Sequence, residues 1–362
     1  QGDTGVVILD NTPFYAEGGG QVGDVGSLFK VGTSLWVSNT TKSQDQHMHH
    51  ASVIKGQVSV GDKVTAEIDI SKRQRTRLNH SATHLLHESL RRVLGAHVTQ
   101  RGSLVQPEKF RFDFSHPKPV TPDELAEIAE LVNAQIRENS TVSISEMSME
   151  EALNHGATAL FGEKYGDVVR VLSMGTENFS VELCAGTHVK RTGDIGLLRI
   201  VSESGIASGV RRIECLTGSD ALAHMASVDA AVLNTCEALK INPNMLLNKV
   251  MALRQEVREL EKTVARLKQK LASGSGGDLV SKAVEVEGIQ VLAAELDGVD
   301  KATLRQTLDQ CKNKLGTAVV LLATVDNEKI ILVAGVTKNV TNLIKAGDLI
   351  TEFAGRLNGR GG

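Results

Sequence analysis

Eight apolar residues spaced alternately by four and three positions constrain this chain more than any other stretch of it. Leu246, Val250, Leu253, Val257, Leu260, Val264, Leu267 and Leu271 share one stripe of an α-helix and no face of a strand. Residues 244 to 272 are therefore read as one long helix carrying a heptad seam of nearly four repeats. Val holds most positions of one kind and Leu the other, a choice that favours two-stranded packing. The partner is a second copy of the chain or the preceding helix, read over 219 to 240 and broken off at Asn242-Pro243-Asn244. Leu222, Met225, Val232 and Leu239 give that helix an apolar stripe of its own, so the pattern leaves both partners open.

Around the helices the chain has room for two or three domains at 362 residues. Residues 5 to 70 read as β structure, with short apolar runs at 6–9, 35–37 and 64–68 between Gly, Asn and Asp turn signals. From Ser71 the period turns helical and holds to Leu94, stopping at Gly95. Arg111 to Phe114 reads as a strand. Thr121-Pro122-Asp123-Glu124 reads as a helix start, with Thr121 as N-cap and Pro in the first turn. Strands follow at 168–172, 179–183 and 196–201, and the first domain closes near Thr217. Ser273 to Gly277 reads as a flexible linker. Beyond it come a strand at 289–295, a helix at 301–315, strands at 317–324 and 329–336, and a helix at 341–357. The expected class is α+β: residues 1–217 form a β-rich subdomain with an α/β domain, 218–272 the helical hairpin or coiled coil, and 273–362 a small C-terminal α/β domain. The absence of an initial Met, and the ending Gly359-Arg360-Gly361-Gly362, lead us to expect a piece of a longer or processed chain.

No apolar run approaches the roughly 20 residues that span a bilayer, and no export signal opens the chain, so the cytoplasm is expected. Four cysteines without close spacing are read as free, buried thiols rather than a disulfide framework. A net charge of -3 does not announce nucleic-acid binding. Averages hide clustering, however. Arg73, Arg75, Arg77, Arg91, Arg92, Arg101 and Arg111 fall close together, with Lys190, Arg191, Arg211 and Arg212 further on, and acidic stretches at 123–138 and 254–261 offset them. Such clusters count as a binding face only if another feature asks for an anionic partner.

The chemistry centres on two pairs. His80 and His84 are one helical turn apart on a common face, and Cys184-Ala185-Gly186-Thr187-His188 repeats the spacing with a thiol and an imidazole. Small residues at 185 and 186 let the backbone turn so that both side chains face inward. Three nitrogens and one sulfur suit Zn²⁺. The spacing alone goes no further than a shared metal. His47, His49 and His50 are read as a solvated loop cluster. A zinc peptidase is disfavoured because Ser81 stands where the helical metallopeptidase motif has Glu. Gly18-Gly19-Gly20 is no phosphate loop, since no Gly-Lys-Ser/Thr follows.

Asn79-His80-Ser81-Ala82-Thr83-His84 with Cys184-Ala185-Gly186-Thr187-His188 resembles the editing domain of alanyl-tRNA synthetases. Thr12-Pro13-Phe14-Tyr15, Gly18 to Gln21, Gln100-Arg101-Gly102-Ser103, Arg111 to His116 and Gly209 to Glu214 extend the resemblance in the family's order over residues 5–217. Threonyl-tRNA synthetases and free-standing alanyl editing proteins carry related domains. The helices and last domain match the family's C-terminal region less specifically. The family's N-terminal aminoacylation domain is missing from this reading, so the chain is expected neither to bind ATP nor to charge tRNA.

The resemblance implies hydrolysis of Ser-tRNA(Ala) and Gly-tRNA(Ala) at zinc held by His80, His84, Cys184 and His188. It implies a pocket lined by Thr12 and Gln100, with Ser103 and Asp113 as further candidates. It also implies contacts to the tRNA acceptor end from Gly18, Gly19, Gly20, Gln21, Arg211 and Arg212. A homodimer through 246–271 and the last domain is expected, with no membrane and no DNA partner. Four protein ligands fill a tetrahedral shell, so the metal either activates water or only positions substrate, and both stay open. The alternative from another class is a non-catalytic tRNA-binding and dimerisation module with a structural zinc.

Overall fold

Period-two alternation builds the first sheet, where Leu35 and Val37 turn inward against Phe14, Leu28 and Ala51. A computed structural model describes residues 2–158, 166–326, 329–357 and 359, the side chains of 268–278 and 326 excepted. Strands β1 (Thr4–Ile8), β2 (Gly26–Lys30), β3 (Thr33–Ser43), β4 (Gln46–Lys55) and β5 (Thr65–Ile68) pair antiparallel in the order β1-β4-β3-β2-β5. The histidines 47, 49 and 50 lie in β4 and not in a solvated loop. The strand period turns His49 fully inward, where its Nδ1 donates to the Val7 carbonyl at 2.9 Å.

Helix α1 (Ile70–Leu94) starts on Asp69, whose carboxylate accepts the Lys72 N–H, and stops at Gly95, which has φ 115°. Its buried Leu85, Leu86 and Leu90 pack on Phe110, Phe112 and Phe114. Those alternate residues of β7 (Phe110–Ser115) share one face of a sheet ordered β11-β12-β7-β6, completed by β6 (Gln100–Val105), β11 (Leu198–Ala207) and β12 (Val210–Thr217). The Thr121–Glu124 capping box opens α2 (Pro122–Arg137), which adds Ile128, Val132 and Ile136 to the same core. A small third sheet, β10-β9-β8, is formed by β8 (Ser143–Ser148), β9 (Val168–Met174) and β10 (Ser180–Leu183), with α3 (Met149–Asn154) between the first two strands.

The chain divides into units Gln1–Thr235 and Cys236–Gly362. Helix α4 (Gly218–Ala238) falls mostly in the first unit and α5 (Leu246–Val280) in the second. Helix α5 runs through Ser273–Gly277, where composition suggested a linker. Glycine weakens a helix by about 1 kcal/mol per residue, but the far end of α5 is held because Leu279 is buried in the core of the second unit. Val250, Val257, Leu260, Val264 and Leu267 of the seam are exposed, and the side chain of Leu271 lies outside the described residues.

In the second unit β13 (Val284–Val286), β14 (Ile289–Glu295), β15 (Ala318–Asp326) and β16 (Lys329–Val336) form a sheet in that order, covered by α6 (Lys301–Leu315). The last helix, α7 (Ala346–Arg356), starts later than the pattern suggested. Thr337 and Asn339 bond back to Ala318 and Thr317 and hold the preceding residues in turns. All four cysteines are free and buried. No helix among the described residues is long and apolar enough to cross a membrane.

Candidate metal centre

Helix α1 and the turn leaving β10 bring the two sequence pairs together. One ligand atom each from His80, His84, Cys184 and His188 lies within 4.8 Å of the others, and all four residues are buried. Cys184 Sγ is 3.2 Å from His188 Nε2 and 3.5 Å from His80 Nε2. The longer falls within, and the shorter just below, the roughly 3.3–3.8 Å edges of a tetrahedron built on metal bonds of about 2.0–2.3 Å.

Behind each ring stands a polar partner on Nδ1. His80 Nδ1 donates to Gln21 Oε1 at 2.7 Å, and His84 Nδ1 to Glu182 Oε2 at 2.5 Å. The second Glu182 oxygen accepts from His87 Nδ1 at 2.8 Å. His188 Nδ1 lies 3.3 Å from the Ser81 hydroxyl, which accepts the Val189 N–H. With Nδ1 occupied on the carboxylate, His84 Nε2 is left buried without a hydrogen-bond partner. A buried nitrogen without a partner is one that a metal cation would satisfy on displacing its proton, so the residues fit one.

Electrostatics set Cys184 and His188 in the state a metal needs, whereas His84 gives up a proton when an ion binds. Burial disfavours the Glu182 carboxylate, yet His84 and His87 outweigh it and hold its pKa at about 2. Burial likewise disfavours the charged His84, but Glu182 and Cys184 raise its pKa to about 10. Burial would raise the Cys184 thiol, and the three surrounding imidazoles instead pull it well below its ordinary value. Burial first, and then His80, lower His188 to about 3, keeping it neutral. A thiolate beside a neutral imidazole is the protonation state that metal binding requires.

The turn carrying Cys184 and His188 is tightly braced. Arg170 donates to the carbonyls of Cys184 and Gly186, the latter at 2.5 Å. A Cβ on Gly186 would sit 2.0 Å from His80 Cε1, so only glycine admits the ring at that distance.

A pocket of about 550 Å³ opens onto one edge of the cluster, lined by Tyr15, Gly18, Lys42 and His47 together with His80 and Cys184. Gly19 also lines it, whereas Gly20 packs against Ser103 on β6. Thr12, Gln100, Ser103 and Asp113 are not among its lining residues. Thr12 bonds His49 at 2.8 Å, and Gln100 opens β6 opposite Phe114. Asp113 forms a two-pronged ion pair with Arg212 at 2.6 and 2.8 Å, and Arg211 does the same with Glu203 at 2.5 and 2.7 Å. Arg73 and Arg75 are likewise taken up by Asp24 and Asp220. Gln21 is fully buried behind His80 and not at the surface. The sequence reading missed Glu182, although the strand period places it on the face of Cys184, two residues on. It also missed Tyr15, Lys42 and His47, whose apposition to His80 arises only from tertiary structure.

Comparison with known proteins gives three matched regions. Residues 1–72 match the family model for tRNA synthetases class II (A), residues 169–214 that for the threonyl and alanyl tRNA synthetase second additional domain, and residues 288–362 the DHHA1 domain. Residues 1–72 had been read from sequence as part of the editing domain. Over its full length the chain is 53% identical to the alanine–tRNA ligase of Saccharophagus degradans and 51% identical to that of Polaromonas naphthalenivorans. It spans 41% of the length of each.

Proposed function

The chain is similar along its whole length to the alanine–tRNA ligases, and from that premise we propose that its first unit hydrolyses Ser-tRNA(Ala) and Gly-tRNA(Ala) at a zinc ion held by His80, His84, Cys184 and His188. The observation that carries this reading is the pocket: a ligand cluster serving structure alone has no need of a cavity opening onto two of its members, His80 and Cys184. Three imidazoles and a thiolate favour zinc among the common ions.

Zinc bound there would supply positive charge beside the ester carbonyl and the attacking water. The chain's own residues do the rest. Gly18 and Gly19 let backbone approach the ribose of the terminal nucleotide, and the half-buried Tyr15 ring offers its base a face to stack on. Lys42 takes a phosphate, since the ion pair it makes with the exposed Asp45 carboxylate at 3.6 Å is solvated and worth little. Arg211 and Arg212 reach phosphate only by exchanging Glu203 and Asp113, so they rank behind Lys42. Serine differs from alanine by a hydroxyl, and a pocket that bonds it penalises alanine through unpaired buried groups.

The deciding assay compares seryl-, glycyl- and alanyl-tRNA(Ala) with and without chelator. Serine and glycine are expected to be released, alanine spared, and chelation to stop turnover. Binding of tRNA without turnover, with unfolding of the first unit on chelation, would instead establish the non-catalytic module.

The seam over 246–271 and the C-terminal residues 273–362 are assigned to tRNA binding and to pairing of two copies, in a cytoplasmic protein. What supports pairing is the exposed row Val250, Val257, Leu260, Val264 and Leu267. Sedimentation at micromolar concentration is expected to give a dimer. A monomer there would favour the seam folding back on the preceding helix.

A further inference from the structure

The amide of Gln21 is a case where chemistry settles what shape does not. Oxygen and nitrogen of a side-chain amide are nearly isosteric, and partners decide between them. The backbone N–H of Thr187 can only donate, and it lies 2.9 Å from Oε1 of Gln21, so that atom is the oxygen. Gln21 Nε2 correspondingly donates to Thr187 Oγ1 at 2.9 Å. Turning the amide over would set its NH₂ against a buried N–H donor and leave both unpaired.

The same oxygen is 2.7 Å from His80 Nδ1. An amide oxygen cannot donate, so the hydrogen of that contact belongs to the imidazole. A neutral ring has one N–H; with it on Nδ1, Nε2 is bare and points to Cys184 Sγ at 3.5 Å. Gln21 is fully buried, so water does not compete for its oxygen. Its backbone is fixed as well. Gln21 and Gly18 exchange backbone hydrogen bonds at 2.9 and 3.1 Å, and the Gly20 carbonyl accepts the Val105 N–H at 2.7 Å. Gly20 has φ 81°, and a Cβ there would come within 2.8 Å of the Ser103 carbonyl oxygen.

We infer that Gln21 is the positioning residue of the metal centre: it fixes the His80 proton on Nδ1, aims the Nε2 lone pair at the ion, and ties that ring to the glycine loop lining the pocket. The inference rests on the metal reading above. It replaces an RNA contact for Gln21 with a role behind the site. It also explains why Gly186 must lack a side chain, since a Cβ there would meet both the His80 ring and, at 3.0 Å, Gln21 Oε1.

The test uses the intact chain and Zn²⁺ alone. Long-range ¹H–¹⁵N spectra of the metal-free wild type are expected to show His80 as the Nδ1–H tautomer. Gln21→Met keeps the length and removes the acceptor, and is expected to lower Zn²⁺ affinity about 10–100-fold in competition with a chromophoric chelator. Gln21→Glu keeps an oxygen for both donors and is expected to stay within about threefold of wild type. An Nε2–H tautomer of His80 in the wild type, or wild-type affinity in Gln21→Met, overturns the inference. The tautomer is read without any substitution, so a misfolded Met variant does not remove the test. Should tautomer and affinities come out as expected while no aminoacyl-tRNA is hydrolysed, the proposed function falls and the role of Gln21 stands.

Discussion

Cys184→Ala is expected to abolish stoichiometric zinc and to slow release of serine from seryl-tRNA(Ala) by about a thousandfold. Cys184 Sγ approaches two imidazole nitrogens at once, at 3.2 and 3.5 Å. The surrounding rings also favour its anionic form. Removing it leaves three imidazoles without the thiolate that best matches zinc. Polarisation of a carbonyl by a metal is worth several kcal/mol, and each 1.36 kcal/mol is a factor of ten in rate. Roughly 4 kcal/mol therefore gives the thousandfold. Metal content per chain and single-turnover deacylation are the two measurements, with circular dichroism to show that the fold persists. Wild-type deacylation by a zinc-free Cys184→Ala protein would sink the metal mechanism.

Glu182→Ala is expected to destabilise the first unit strongly. The carboxylate is buried and bridges His84 and His87, so its loss strands two inward-facing imidazoles. Breaking a buried pair by removing one partner costs about 3–5 kcal/mol. For a unit of this size each kcal/mol lowers Tm by roughly 2–4 °C, so a drop of about 10 °C is expected. The pH dependence has a definite sign in the metal-free protein. Glu182 falls from an ordinary 4.5 to about 2 in the fold, so its contribution is present above 4.5 and lost as pH falls towards 2. His84 rises from 6.5 to about 10, so its contribution is full below 6.5 and lost as pH rises towards 10. The two describe one interaction, greatest between about pH 4.5 and 6.5. Thermal melts across pH should show that maximum in the metal-free wild type and a flatter profile in Glu182→Ala. Equal profiles would remove the bridge from the account.

What was legible in the sequence is what local periodicity writes. Thr121 and Glu124 announce their capping box because cap chemistry spans four residues. His80 with His84 and Cys184 with His188 announce themselves because a metal accepts few residue types and needs them on one face. The residues behind the rings carry no such mark. Gln21 meets Thr187 across 166 positions and Glu182 meets His84 across 98, distances at which spacing holds no information. Arg211 and Arg212 looked like free cations because their partners, Glu203 and Asp113, become neighbours only through the register of β11, β12 and β7. The glycine-serine run in α5 misled for the opposite reason: composition reports local preference, and the anchoring of Leu279 overrides it.

The separation of the two ligand pairs bears on the order in which the protein assembles. Cys184 and His80 are 104 positions apart, so an ion joining them closes a loop holding the whole third sheet, β6 and β7 of the second, and helices α2 and α3. In the unfolded chain that closure is opposed by an entropy that grows with the logarithm of loop length. Metal capture becomes a late event, a clasp fastened on strands already paired, and its loss loosens the closure without erasing the sheets it spans.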